Sequence, residues 1–214
     1  EWMAALAVGA CRAAGVRGII VGGFARLAAH MLSEPELVEY AASACLFVKS
    51  APHEFLFPRC SVIVHHGGAG TVAASLRSGV PTVVTPVMAD QPGYAKMVHA
   101  LGAGVGTAQL GKLTAKSLGA ALQTCLTSEP IQAKARELSA GLRAEDGALT
   151  AVRHITTFLA DEVRTGVWRD AFDAKIRRRK PPCGGWCPCA CCSCLCTCCA
   201  VCCTPHPFGP PVPR

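Results

Sequence analysis

The sequence predicts an α/β fold, a doubly wound parallel sheet, ending in a disordered Cys-rich tail. Three observations carry this. Short, uninterrupted apolar runs bounded by glycine read as strands buried on both faces. Segments with apolar residues at helical spacing alternate with those runs. Gly or Pro stands where each helix should stop.

Taken in order, Trp2, Leu6, Ala10 and Ala13 recur at helical spacing and Gly15 ends the run. Strands are expected at residues 18–22, 45–48, 61–65 and 82–85 (GIIVG, CLFV, SVIVH and TVVT). Between the last two, residues 71–78 form a helix stopped by Gly79 and Pro81. Tyr94, Met97, Val98 and Leu101 mark a helix with Pro92 near its start and Gly102 at its end, and Val105 sits in a short fifth strand. From Thr114 on, three apolar faces follow one another: Leu118, Ala121, Leu122 and Cys125; Ile131, Ala135, Leu138 and Leu142; Leu149, Val152, Ile155, Leu159 and Val163. Past Gly166 no helical or strand period is visible, so residues 1–164 are expected to form the domain and residues 165–214 a basic, Cys- and Pro-rich tail.

Composition supports the division. The chain has 214 residues, mean hydropathy +0.34 and 16% charged residues, which excludes a disordered chain. Of the 15 cysteines, four (Cys11, Cys45, Cys60, Cys125) are scattered and eleven crowd into residues 183–203. Residues 1–164 carry 14 basic and 12 acidic side chains, net +2, and residues 165–214 carry 7 and 2, net +5. The charge therefore belongs to the tail, and a nucleic-acid partner for the domain loses its support. No run approaches the roughly 18 apolar residues of a membrane span. The start at Glu1, with neither Met nor an apolar leader, reads as a fragment without a signal peptide.

The densest chemistry is VHHGGAGT at residues 64–71, where the third strand turns into a helix. At the carboxyl edge of a parallel sheet such a turn meets ligands. Its glycines admit a close approach, and the free amides and dipole of the first helical turn suit a phosphate. His65 at the strand end would donate a further hydrogen bond. A plain tight turn is the structural alternative. A nicotinamide-binding domain is another, since Gly68-x-Gly70-x-x-Ala73 fits a dinucleotide fingerprint with Asp90 about twenty residues on. Against it, two strands precede the turn, and paired histidines are foreign to that pattern.

The second constellation, TPVMADQ at residues 85–91, follows the next strand, so Asp90 and Gln91 should face the same crevice. A carboxylate beside an amide suits vicinal sugar hydroxyls, with helix capping as the structural alternative. The third is the loop at residues 50–59 (SAPHEFLFPR), which could lie along a flat base, with Phe55, Leu56 and Phe57 packed inward as core.

These three elements, in this order, resemble the nucleotide-sugar-binding half of family-one GT-B glycosyltransferases. The runs at residues 52–60, 64–71 and 79–92 look most like the sterol 3-beta-glucosyltransferases, with the bacterial antibiotic glycosyltransferases bearing an erythromycin-biosynthesis-type C-terminal domain as close relatives. The resemblance spans roughly residues 1–160. It implies a UDP-glucose donor, inversion, and no cofactor or metal. The uracil would rest on Ser50, Ala51 and His53, the diphosphate on His65 and the amides of Gly68, Ala69, Gly70 and Thr71, and the glucose on Asp90 and Gln91. Helix dipole, amides and histidine would meet the charge of the leaving diphosphate. The family's base is a histidine of an N-terminal acceptor domain, which this chain is expected to lack together with a Gly-rich first strand before Glu1. No catalytic residue is therefore expected here, and His30, His53, His99, His154 and His206 have no claim to the role. Plant small-molecule members carry a tryptophan in the uracil loop and a glutamate for the ribose. Pro52-His53 and Ala73 stand here instead, which leaves the ribose contact unassigned. The implied partners are a UDP-sugar and a sterol or other lipid acceptor held by the N-terminal domain, with a cytoplasmic location. A non-catalytic nucleotide-binding module is the reading from another class.

For the tail, Cys-x-x-Cys spacings (Cys189 and Cys192, Cys199 and Cys202) suit soft metals, but no single cage is specified. Acylation beside the basic run at residues 177–180 would give peripheral membrane contact. A low-complexity extension without function is the third reading.

Overall fold

A computed structural model describes residues 1–179. Those residues divide into a unit Glu1–Gly147 and a second unit beginning at Ala148. The expectations for the cysteine cluster and for the end of the basic run lie outside the described residues.

In the first unit all five expected strands form: β1 (Gly18–Val21), β2 (Cys45–Val48), β3 (Ile63–His65), β4 (Thr82–Val84) and β5 (Gly104–Gly106). Every pairing is parallel. They make two ribbons, β1–β2 with Gly18 opposite Cys45, and β3–β4–β5 with His65 opposite Val84 and Val84 opposite Gly106. The helices are α1 (Trp2–Ala14), α2 (Pro35–Ala44), the single turn α3 (His53–Leu56), α4 (Ala69–Ser78), α5 (Gln91–Ala100), α6 (Ala115–Thr127) and α7 (Glu129–Ala144). As expected, glycines in the left-handed region end α1 at Gly15 (φ 66°) and α4 at Gly79 (φ 78°).

The β4 strand shows why the sheet is covered twice. Its neighbours point to opposite faces, as successive strand residues must. Val83 packs with Leu6, Ala10, Leu118 and Leu122 of α1 and α6, while Val84 packs with Val72, Leu76, Ala95 and Val98 of α4 and α5. A third cluster joins α1 (Ala4, Val8) to Ile20 of β1 and Leu37 and Ala41 of α2.

α1 and α6 approach closely because small residues line their contact. A Cβ on Gly9 would stand 2.8 Å from Ala115 Cβ, and one on Gly119 would stand 2.8 Å from Ala13 Cβ. The Gln123 amide donates to the Ala14 carbonyl, covering an open end of α1. α7 is tied to the end of α4: Ser139 Oγ (2.6 Å) and Arg143 Nε (2.8 Å) both donate to the Arg77 carbonyl. α6 begins with a reciprocal cap, the Ser117 amide donating to Thr114 Oγ1 (3.1 Å) and the Thr114 amide to Ser117 Oγ (3.0 Å). Thr114→Ala should cost about 1 kcal/mol, seen as a lower urea midpoint with an unchanged slope; an unchanged midpoint would show that the cap does not stabilise α6.

The second unit contains all but the first residue of α8, which spans Gly147–Phe158, then a π-helical turn (Leu159–Val163) and α9 (Val167–Arg179). The expected helical period through Val163 is present, and its apolar face is exposed at Leu149, Val152, Ile155, Leu159 and Val163. α9 corrects the expectation that no regular structure follows Gly166. Trp168 and Phe172, four residues apart, stack at 5.3 Å, and Phe158 meets Trp168 edge-on at 6.5 Å.

Candidate functional site

The carboxyl ends of β3 and β4 lie side by side, and both motif loops leave from them. The Thr85 amide donates to the His65 carbonyl (2.9 Å), fixing the two exits against each other. Gly67 then turns the chain with φ 92°, and its α-carbon is packed so tightly that a Cβ would stand 2.8 Å from Val84 Cγ1 and 3.3 Å from the Gln91 carbonyl. Gly67 thus joins the histidine-glycine turn to the start of α5, so the two constellations share one edge.

Gly68 is the N-cap of α4 and no side chain caps the helix. The first-turn amides of Ala69, Gly70 and Thr71 therefore lie at an uncapped helix start, with Ala69 and Gly70 exposed and open space beside the Gly70 α-carbon. His66 is exposed, and its ring covers Gly68, where a Cβ would stand 2.7 Å from Nε2.

His65 differs from the expectation for it. It is only 8% exposed, and both ring nitrogens are engaged within the protein. Nδ1 accepts from the Gly67 amide (3.0 Å), which assigns the ring hydrogen to Nε2. Nε2 donates to Ser75 Oγ (3.1 Å), whose hydroxyl donates to the Val72 carbonyl (2.9 Å). Burial, then the neighbouring His66 and His53, push the His65 pKa down to about 4. The ring is therefore a neutral brace for the turn, and no free N–H of His65 faces out toward a phosphate. Ser75, fully buried, was not singled out from the sequence; the signal available was a small polar residue on the inward face of α4, ten positions after the histidine.

On the second loop, the Gln91 side-chain oxygen accepts from the amides of Val87 (2.8 Å) and Met88 (3.1 Å), leaving its NH2 as donor. Ala89 holds a left-handed φ of 55°, rare for a residue with a side chain. Asp90 is exposed and its carboxylate does not cap α5, although its backbone occupies the cap position. The capping alternative for Asp90 is therefore not what the structure shows.

Ser50 and His53 are exposed and Ala51 half-buried, in the segment leading from β2 into α3. α3 and the 3-10 turn Phe57–Arg59 pack on α4, and His53 stacks on Phe57 at 4.5 Å. The expectation that Phe55, Leu56 and Phe57 all pack inward holds for Phe57, which is buried, and in part for half-buried Leu56, but fails for Phe55. Phe55 is 60% exposed and carries the Arg59 guanidinium 3.8 Å above its ring. A turn of helix forms within the segment expected to be a loop, so these neighbours diverge in direction. Among the described residues, no group of three or more His, Cys, Asp or Glu side chains gathers as a metal site, and no helix is long and apolar enough to cross a membrane.

Comparison with known proteins gives this geometry a family. Residues 43–155 match the model of the erythromycin biosynthesis protein CIII-like C-terminal domain. A sterol 3-beta-glucosyltransferase of Debaryomyces hansenii is 42% identical over 106 residues, covering 50% of this chain and 6% of that protein. One of Candida albicans is 38% identical over 130 residues (61% and 8%), and one of Arabidopsis thaliana 35% identical over 153 residues (72% and 23%). Among solved structures, the glycotransferase of kitacinnamycin aligns with TM-score 0.57 and 25% identity over 72% of this chain and 38% of that one. Spinosyn rhamnosyltransferase SpnG aligns with TM-score 0.55 and 23% identity, over 71% and 40%, a likeness of fold. The chain thus spans less than a quarter of the length of these three curated relatives. With the family's match running through β3, β4 and both loops at their carboxyl ends, the chain belongs to the erythromycin biosynthesis protein CIII-like C-terminal domain family.

Proposed function

We propose that this chain binds the donor, UDP-glucose, for transfer of glucose with inversion to a lipid hydroxyl, that of a sterol. The observation that carries the reading is the contact of Gly67 with Gln91, which sets the uncapped start of α4 beside Asp90 and Gln91. A diphosphate on the amides of Gly68, Ala69, Gly70 and Thr71 would then have its sugar next to a carboxylate and an amide donor. The curated relatives, sterol 3-beta-glucosyltransferases 35–46% identical to this chain, support the choice of acceptor and sugar.

In the chemistry so assigned, the bond from the anomeric carbon to the diphosphate oxygen breaks as the acceptor oxygen attacks the opposite face. The helix dipole and amides of α4 hold the negative charge that gathers on the departing UDP, without a metal. Asp90 and the Gln91 NH2 orient the glucose hydroxyls. Ser50, Ala51 and His53 flank the base. His65 acts one step back, holding Gly67 and thereby the first amides. In this reading the acceptor's pocket and the group that takes the acceptor's proton are supplied by polypeptide outside this chain.

Calorimetric titration of UDP, UDP-glucose and NAD against the chain tests this. UDP should bind with a Kd of roughly 1 mM or tighter and NAD should not. Asp90→Ala should weaken UDP-glucose about tenfold while leaving UDP unchanged, since only the sugar meets that carboxylate. Absence of UDP binding at millimolar ligand, or NAD binding in its place, would refute the assignment.

A further inference from the structure

Away from the donor edge, two thiols from distant parts of the sequence meet over a glycine. Cys11 lies in the last turn of α1 and Cys45 is the first residue of β2. Gly18, the first residue of β1, pairs with Cys45 across the ribbon. The missing side chain of Gly18 leaves the space both sulfurs use: a Cβ there would stand 2.7 Å from Cys11 Sγ and 3.7 Å from Cys45 Sγ. The two sulfurs therefore border the same small space, and both cysteines are free thiols. We propose that Cys11 and Cys45 are an oxidisable pair that closes to a disulfide by exchange with a low-molecular-weight disulfide, bolting α1 to the β1–β2 ribbon.

The exchange balances with oxidised glutathione as the oxidant. The Cys45 thiolate attacks one glutathione sulfur, forming a mixed disulfide and releasing one glutathione thiolate. The Cys11 thiolate then attacks Cys45 Sγ and displaces the second. The pair loses two electrons, oxidised glutathione becomes two glutathione molecules, and the two thiol protons pass to them through solvent. Both thiols are half-buried, and attack in the reverse order gives the same product. Burial and the facing Cys45 raise the Cys11 pKa to about 11, and burial raises that of Cys45. The other titratable group against the pair is the Tyr40 hydroxyl, which donates to the Cys11 and Val16 carbonyls. Closure is therefore slow at neutral pH and accelerates as pH rises. Its structural effect is local to α1 and β2, the strand that leads into the segment containing Ser50 and His53.

The cysteine-rich sequence at 183–203 demands a site-resolved readout. The full chain, incubated with graded oxidised glutathione at pH 7 and 9, is quenched with iodoacetamide, digested with trypsin without reduction and examined by mass spectrometry. Cleavage after Arg12, Arg26 and Lys49 puts Cys11 in residues 1–12 and Cys45 in residues 27–49. The expected product is these two peptides joined, formed faster at pH 9 and raising the Tm of the oxidised chain by several degrees. In Cys45→Ser the joined species disappears, Cys11 is recovered alkylated or glutathionylated, and that gain in Tm is lost. Recovery of Cys11 and Cys45 alkylated in the parent while the cysteines of 183–203 are oxidised would overturn the proposal. So would joining of either one mainly to those cysteines, or an equal Tm gain in Cys45→Ser.

Discussion

Gly67→Ala should lose about 3 kcal/mol of stability and all measurable UDP binding. Two costs combine at this one methyl. The left-handed φ of 92° charges an alanine about 1–2 kcal/mol. The added Cβ also meets Val84 Cγ1 at 2.8 Å and the Gln91 carbonyl at 3.3 Å, an overpacking cost of about 1–3 kcal/mol. Neither neighbour can yield cheaply, because Val84 is fully buried between β3 and β5 and the Gln91 atom is backbone. Relief comes only by moving the turn, which shifts the first amides of α4 and separates them from Asp90. Gly70→Ala is the informative companion. Its Cβ would meet nothing within 4 Å, and its helical position favours alanine by up to about 1 kcal/mol. Gly70→Ala should therefore fold as well as the parent or better and yet bind UDP more weakly, because the new methyl faces the ligand. Urea unfolding and UDP calorimetry on the two variants separate a glycine the fold needs from one the ligand needs. A Gly67→Ala chain as stable as the parent would show that the turn does not depend on this conformation.

The parts of this structure legible in the sequence are those set by period and by backbone chirality. Four apolar runs and the short segment at Val105 became five parallel strands, and Gly15, Gly79 and Gly102 take the positive φ that ends a helix or turns the chain after it. The nearness of residues 67–71 to residues 90–91 also followed from strand order alone, since parallel neighbours end on one edge. Side-chain direction was harder. Nothing in the residue order separates an imidazole that faces a ligand from one that braces a turn. That depends on Ser75 arriving from the next turn of α4, and on Gly67 aiming its amide back at Nδ1. Phe55 and Phe57 look alike as apolar residues, but the turn of α3 sends one to solvent and the other to the core. α9 escaped notice because its apolar signal reduces largely to one aromatic pair, Trp168 with Phe172, among charged residues.

The brace itself predicts an acid instability. A histidine buried as a neutral acceptor and donor resists protonation, and its folded pKa of about 4 lies below the unfolded value of about 6.5. The stability it protects is therefore complete above pH 6.5 and is lost as the pH falls toward 4, because only the unfolded chain takes up the proton in that window. A gap of this size corresponds to about 3 kcal/mol by pH 4. Two substitutions divide the brace. His65→Asn can keep an acceptor near Nδ1 for the Gly67 amide and gives up the bond to Ser75, whereas His65→Gln can keep a donor for Ser75 and gives up the acceptor. Each should cost about 1–2 kcal/mol at pH 7, the price of one buried polar group left without its partner. Both should flatten the fall in stability between pH 6.5 and 4 relative to the parent, since neither side chain titrates there. UDP binding should survive better in His65→Asn, where the amide of Gly67 is still held and the first turn of α4 stays in place. Urea midpoints followed from pH 7.5 to 4 decide the matter: an acid slope that persists undiminished in both variants would assign it to other groups and remove His65 as the proton-excluding brace of the turn.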